Sequence, residues 1–221
     1  MTIKEKQLIY TTGIIGLIAS IIVGLGEFLL HYSAQLTENT ENYNFFAFVS
    51  KNNLIYGHFL AVLGTPLYFV GYYHIYKMLK GKENKWAFIV FALGIIAFTV
   101  GGFWITSRAF LGTIVHLKSD INTVTYTQIL DNYTLLSESL VQVLRVVILL
   151  LSVFFIISIL KSQTYYNKWM AITNPIVLLI AVFAIYFVAP SIGQYIAPIA
   201  MNVVHFILFS LSLYQFNKNY K

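Results

Sequence analysis

The sequence predicts an all-α membrane protein, a bundle of six transmembrane helices with both termini in the cytoplasm. Three observations predict it. Of the 221 residues, 58% are hydrophobic and only 10% charged; several apolar runs reach spanning length; and the lysines gather at alternate ends of those runs. Soluble domains carry roughly a quarter charged residues, so this chain has too little charge to cover a water-facing surface. A helix needs about 20 apolar residues to cross ~30 Å of hydrocarbon. The predicted spans use the whole chain, so 1–221 reads as a single transmembrane domain in the cytoplasmic (inner) membrane of a bacterium.

The first predicted span covers 8–32. Lys4 and Lys6 precede it as in a signal peptide, but the apolar run outlasts a signal-length core and lacks a small-x-small cleavage site. It therefore reads as a retained span. The others cover 53–78, 86–115, 132–160, 169–188 and 191–215. Only Ala189-Pro190-Ser191-Ile192-Gly193 divides the last two, and a re-entrant segment is the alternative there. Lys4, Lys6, Lys77, Lys80, Lys82, Lys85, Lys161, Lys168, Lys218 and Lys221 fall on one side, against Lys51 and Lys118 on the other. Basic residues mark the cytoplasmic side, which sets the orientation.

The outer loops carry Glu38, Glu41, Asp120 and Asp131. The loop 33–52 contains Asn44-Phe45-Phe46-Ala47-Phe48-Val49, too short to span and suited to the interface or to the mouth of the bundle. The loop 116–131 is polar and rich in Thr. A faint repeat relates Leu79-Lys80 and Asn84-Lys85-Trp86 to Leu160-Lys161 and Asn167-Lys168-Trp169. Spans two–three and four–five read either as related hairpins or as two instances of the preference of Lys and Trp for a cytoplasmic boundary.

Several classes drop out. With no cysteine there is no disulfide, thiolate metal site or thiol chemistry. The net charge of +6 comes from lysines at the ends of spans, which is a topology and lipid-phosphate pattern and excludes a nucleic-acid partner.

Ionisable groups inside hydrocarbon are costly, so each is a candidate for function. The spans contain Glu27, Arg108, Glu138 and Arg145, with His31, His58, His74 and His205. The two acids and two arginines balance, as internal pairing requires. Glu27 lies about 28 Å along its span from Leu8, and His58 about 8 Å in from the outer start of the second. Arg108 and Glu138 sit toward the outer side of theirs, so four helices place polar groups at one depth; Arg145 lies deeper. Glu27 and His31 share a face at i, i+4, as do Trp104 and Arg108. Asp131, Glu138, Gln142 and Arg145 form a stripe, as do Pro198, Asn202 and His205 below Gln194. These stripes are expected to converge on a polar interior open to the outside.

The readings stay open at this point. In one, the charges only fix helix register. In the first functional reading, the interior binds a lipid-like or amphiphilic molecule, with acid–base transformation of it open. Glu27 and Glu138 are then the catalytic groups, and His58, Trp104, Arg108, Gln142, Arg145 and Asn202 bind the ligand, the arginines holding an anionic headgroup. In a second, Glu27, His31 and His58, with His116 as a further donor, ligate zinc. In a third, the chain is a small proton-coupled transporter, with helix breaks at Gly64-Thr65-Pro66, Asn174-Pro175 and Ala197-Pro198 lining a path. Haem ligation by His58, His74 and His205 is weaker, since His58 and His74 point to nearly opposite faces. Oligomeric state has no signature in the sequence.

The end of the first span, Glu27-Phe28-Leu29-Leu30-His31-Tyr32, resembles a family of uncharacterised multi-pass bacterial membrane proteins. So does Gly57-His58 followed by Gly64-Thr65-Pro66-Leu67-Tyr68 and Gly71 in the second span. The resemblance implies the multi-pass topology and directs attention to Glu27, His31 and His58; the family carries no assigned activity.

Overall fold

A computed structural model describes residues 2–32, 43–81 and 84–220. Half of the loop 33–52, with Glu38 and Glu41, lies outside the described residues, as do Lys82 and Lys221. Seven α-helices follow in order: α1 (Ile3–His31), α2 (Lys51–Lys80), α3 (Trp86–His116), α4 (Thr123–Lys161), α5 (Pro175–Val188), α6 (Pro190–Ile196) and α7 (Ala200–Tyr220). Short 3-10 segments cover Asn44–Phe48, Lys168–Thr173 and Ala197–Ile199. Among the described residues, α1 to α4 and the run Pro190–Asn219 are long and apolar enough to cross a membrane. The protein is an all-helical, multi-pass membrane protein. At fourteen residues, α5 is about 21 Å long and falls short of a bilayer alone.

The chemistry of the helix ends is local. Thr2 and Glu5 form a reciprocal capping box at the start of α1. The Asn174 side chain caps α5, with Pro175 in the first turn, a position that tolerates its missing N–H. Of the three expected breaks, Asn174-Pro175 and Ala197-Pro198 are breaks. At Pro66 the helix α2 runs on unbroken, and Thr65 returns its hydroxyl to the Ala61 carbonyl at 2.8 Å.

Of the stretch 116–131 only 117–122 form a loop. The side chain of Asn122 accepts from the backbone N–H of Val124 and Thr125, so α4 begins nine residues before the expected 132 and runs for 39 residues, about 58 Å. Tyr126 and Leu130 in its first turns are buried in the core.

Pairing of α1 with α2 is the most intimate contact in the fold. A Cβ on Gly57 would lie 2.6 Å from the Gly26 carbonyl, and one on Gly71 would lie 2.7 Å from Cα of Gly16. Lipid gives apolar faces little reason to associate, so close approach of backbones at small residues supplies the attraction. Gly57 and Gly71 of the resemblance motif thus mark where α2 rests on α1.

At the lysine-rich end, a buried hydrogen-bonded line clasps four segments. His74 Nδ1 donates to the Ile9 carbonyl at 2.7 Å, and its Nε2 lies 2.6 Å from Ser212 Oγ. The Tyr166 hydroxyl is 2.6 Å from the same Oγ. Asn84 bridges the α2–α3 turn to α4 through the Leu79 carbonyl and Ser158. Termini of α1 and α7 lie together at this end.

Candidate functional site

At the opposite end α1, α3, α4 and α7 bring together Glu27, His31, Trp104, Arg108, Glu138 and Asn202. Glu27 and His31 follow each other by one helical turn, which stacks them on the face of α1 turned into the bundle. Both are buried. His31 Nδ1 lies 3.0 Å from the Glu27 backbone carbonyl, which can only accept, so Nδ1 carries the proton. Nε2 is then left as the acceptor, and Arg108 Nε–H donates to it at 3.1 Å.

Arg108 is a buried cation among rings. Its guanidinium carbon lies 4.5 Å from the ring centre of Tyr43, 5.4 Å from Phe46, 5.6 Å from Trp104 and 5.8 Å from Phe45. Such contacts gain strength on desolvation. His31 stacks on Trp104 at 5.7 Å between centres. The nearest carboxylate oxygen in its ion pair, Glu138 Oε1, stands 4.0 Å from Nη1, beyond the ~2.7–2.9 Å of a charge-assisted hydrogen bond. The Trp104 indole N–H is buried with no acceptor among the described residues.

The run Asn44–Phe48 is the roof of this site. Its Phe46 side chain is fully buried, and Tyr43, just before it, donates its hydroxyl to Glu138. Burial and the neighbouring Glu138 push the Tyr43 phenol up, so it stays a donor at neutral pH. The Glu138 side chain is 45% exposed. The polar interior is therefore covered, where the sequence led us to expect one open to the outside.

On the floor, Glu27 accepts a hydrogen bond from the Asn202 amide. The Tyr68 hydroxyl donates to the other end of that amide at 2.7 Å. One turn further down, the Tyr72 hydroxyl is 2.8 Å from His205 Nε2, while His205 Nδ1 donates to the Met201 carbonyl at 2.7 Å.

Three expected participants lie elsewhere. Gln142 and Arg145 are exposed and bond to each other at 3.2 Å. They share a face with Asp131, as their spacing says, but α4 packs on α3 through another face, where Ser137 meets Ser107 at 2.9 Å. His58 sits in a separate groove between α2 and α3. Among the described residues no three His, Asp or Glu side chains come together as a metal-ligand group, and His58 stands apart from Glu27 and His31. His31 also has both ring nitrogens engaged, as do His74 and His205, which leaves none of them a free nitrogen for zinc or haem iron. His116, the further donor considered, has Nε2 on the Val49 carbonyl at 2.8 Å.

Tyr43 and Tyr68 belong to the site and were not singled out from the sequence. Tyr43 is 95 residues from its partner, and no local pattern connects them. For Tyr68 the signal was its place in the Gly-x-Pro-Leu-Tyr motif.

A family model described as a family of unknown function, DUF6796, matches residues 1–219. The chain belongs to this family. No curated protein and no solved structure matches it. In this DUF6796 member the residues carrying the resemblance divide in two: Glu27, His31 and Tyr68 build the site, whereas Gly57 and Gly71 bring α2 against α1.

Proposed function

We propose that the protein crosses the cytoplasmic membrane six times as one domain, with both termini inside, and that its outer-leaflet centre binds the headgroup of an anionic amphiphile. The six-fold count is supported by α5 joined to the 3-10 segment Lys168–Thr173. At about 1.5 and 2.0 Å per residue they hold about 21 Å and 12 Å of helix on either side of the Asn174 break. The orientation is supported by the lysine-rich end, to which α1, α2, α4 and α7 all return.

The binding reading is carried by one observation: among the described residues the buried Trp104 N–H lacks an acceptor beside a buried guanidinium whose ion-pair oxygen is 4.0 Å away. Buried donors are nearly always satisfied, and an Arg fork matches carboxylate and phosphate. An anionic headgroup accepts from both. Tyr43 and Glu138 form the latch of the aromatic roof, and Glu138 faces the exterior from which the ligand enters. Glu27, one turn from His31, is the group placed to exchange a proton with a molecule held there.

The test is a titration of dodecyl phosphate into the purified protein in neutral detergent. Wild type binds saturably, Arg108→Gln weakens binding by about tenfold or more, the worth of a hydrogen-bonded charge, and Arg108→Lys falls between. Superimposable isotherms for wild type and Arg108→Gln would refute the site.

A further inference from the structure

Away from Arg108, the outer halves of α2 and α3 leave a groove of about 280 Å³ lined by Ile55, His58, Phe59, Phe110 and Thr113, with Lys51 at its mouth. Among the described residues no acidic side chain lines it. Ile55, Phe59 and Phe110 are about half exposed and belong to helices of spanning length, so acyl chains rather than water meet them. Lys51 is the first residue of α2, directly after the capping Ser50. Its ammonium therefore adds to the positive end of a thirty-residue helix. Phe59 lies eight residues further, about 12 Å along the axis. A cation thus stands at headgroup height over an apolar slot that runs toward the bilayer centre. The Thr113 hydroxyl is spent on the Ala109 carbonyl at 3.0 Å and His116 Nε2 on the Val49 carbonyl at 2.8 Å. Only His58 Nδ1, buried in the wall with no partner among the described residues, interrupts the otherwise apolar lining.

The geometry points to a selective site for one anionic phospholipid, its phosphate on Lys51 and one acyl chain in the α2–α3 groove. The site is independent of the Arg108 centre, because Arg108 turns to α1 and contacts none of the groove. Charge complementarity chooses the lipid: the slot holds any acyl chain, and the lysine with the helix terminus prefers a headgroup of net negative charge.

The experiment reconstitutes the Arg108→Gln protein, in which the other centre is disabled, in vesicles of equal phosphatidylglycerol and phosphatidylcholine, extracts it in mild detergent and counts retained lipids by native mass spectrometry. With Lys51 intact it is expected to retain one phosphatidylglycerol about fivefold over phosphatidylcholine, the ratio supplied by one lysine at a membrane surface. Adding Lys51→Ala brings the two lipids to equal retention. Adding Thr113→Trp, which fills the slot from an exposed position, removes both. Equal retention of the two lipids with Lys51 intact overturns the proposal, as does a preference that survives Lys51→Ala or an occupancy that survives Thr113→Trp in that background.

Discussion

Arg108 donates its Nε–H to Nε2 of His31 across 3.1 Å, tying α3 to α1. The histidine holds its own position through Nδ1 and the Glu27 carbonyl, so the arginine is aimed by a ring that cannot turn without losing two hydrogen bonds. His31→Ala leaves a buried donor on Arg108 unsatisfied and is expected to destabilise the protein by about 1–3 kcal/mol. His31→Gln keeps an acceptor and recovers part of that loss. Thermal unfolding in detergent reads the difference, and equal melting of the two variants would show that the bond contributes nothing.

The latch between Tyr43 and Glu138 has a pH dependence of defined sign. Burial and Glu138 raise the Tyr43 phenol above its ordinary value of 10.0. A group raised in the folded state contributes stability that is complete below the unfolded value and is lost as pH rises through the folded one. The stability gap between wild type and Tyr43→Phe is therefore constant up to about pH 10 and closes above it. A gap that opened only in alkali would reverse the assignment.

Two glycine substitutions separate packing from propensity. Gly57→Ala puts a methyl 2.6 Å from the Gly26 carbonyl, forcing α2 off α1 at a cost of about 1–3 kcal/mol. Gly101, on α3, has nothing within 4 Å of its Cβ position. There Ala replaces the poorer helix former and is expected to stabilise by up to about 1 kcal/mol. The same unfolding assay distinguishes them, and similar shifts for both would remove the argument from close approach.

Topology is open to a direct assay because the chain has no cysteine. A single cysteine at exposed Ser119, between α3 and α4, is expected to react with a membrane-impermeant maleimide added to intact cells. One at exposed Gln163, at the other end of α4, is expected to react only after permeabilisation. The opposite pattern would invert the orientation.

The helices were legible because hydrocarbon imposes length and composition together, and the lysines mark which ends meet. The depth shared by Glu27, Arg108 and Glu138 was legible too, since it follows from counting residues along each span. What the pattern could not give is which face of α4 looks inward. Asp131, Gln142 and Arg145 do share a face, but periodicity says only that they point the same way. The start of α4 was signalled by Asn122 as an N-cap, a cue masked by the polar residues after it, which a hydropathy reading takes for a loop. Covering of the site by Tyr43 and Phe46 depends on contacts across about half the chain, and no spacing rule reaches that far.

The most direct test of the Arg108 centre is the native mass spectrum of the protein as purified, taken in a Lys51→Ala background that weakens the headgroup preference of the α2–α3 groove. The account predicts a retained anionic amphiphile in that background and its loss when Arg108→Gln is added. An identical bound mass in both proteins, or none in either, would contradict it.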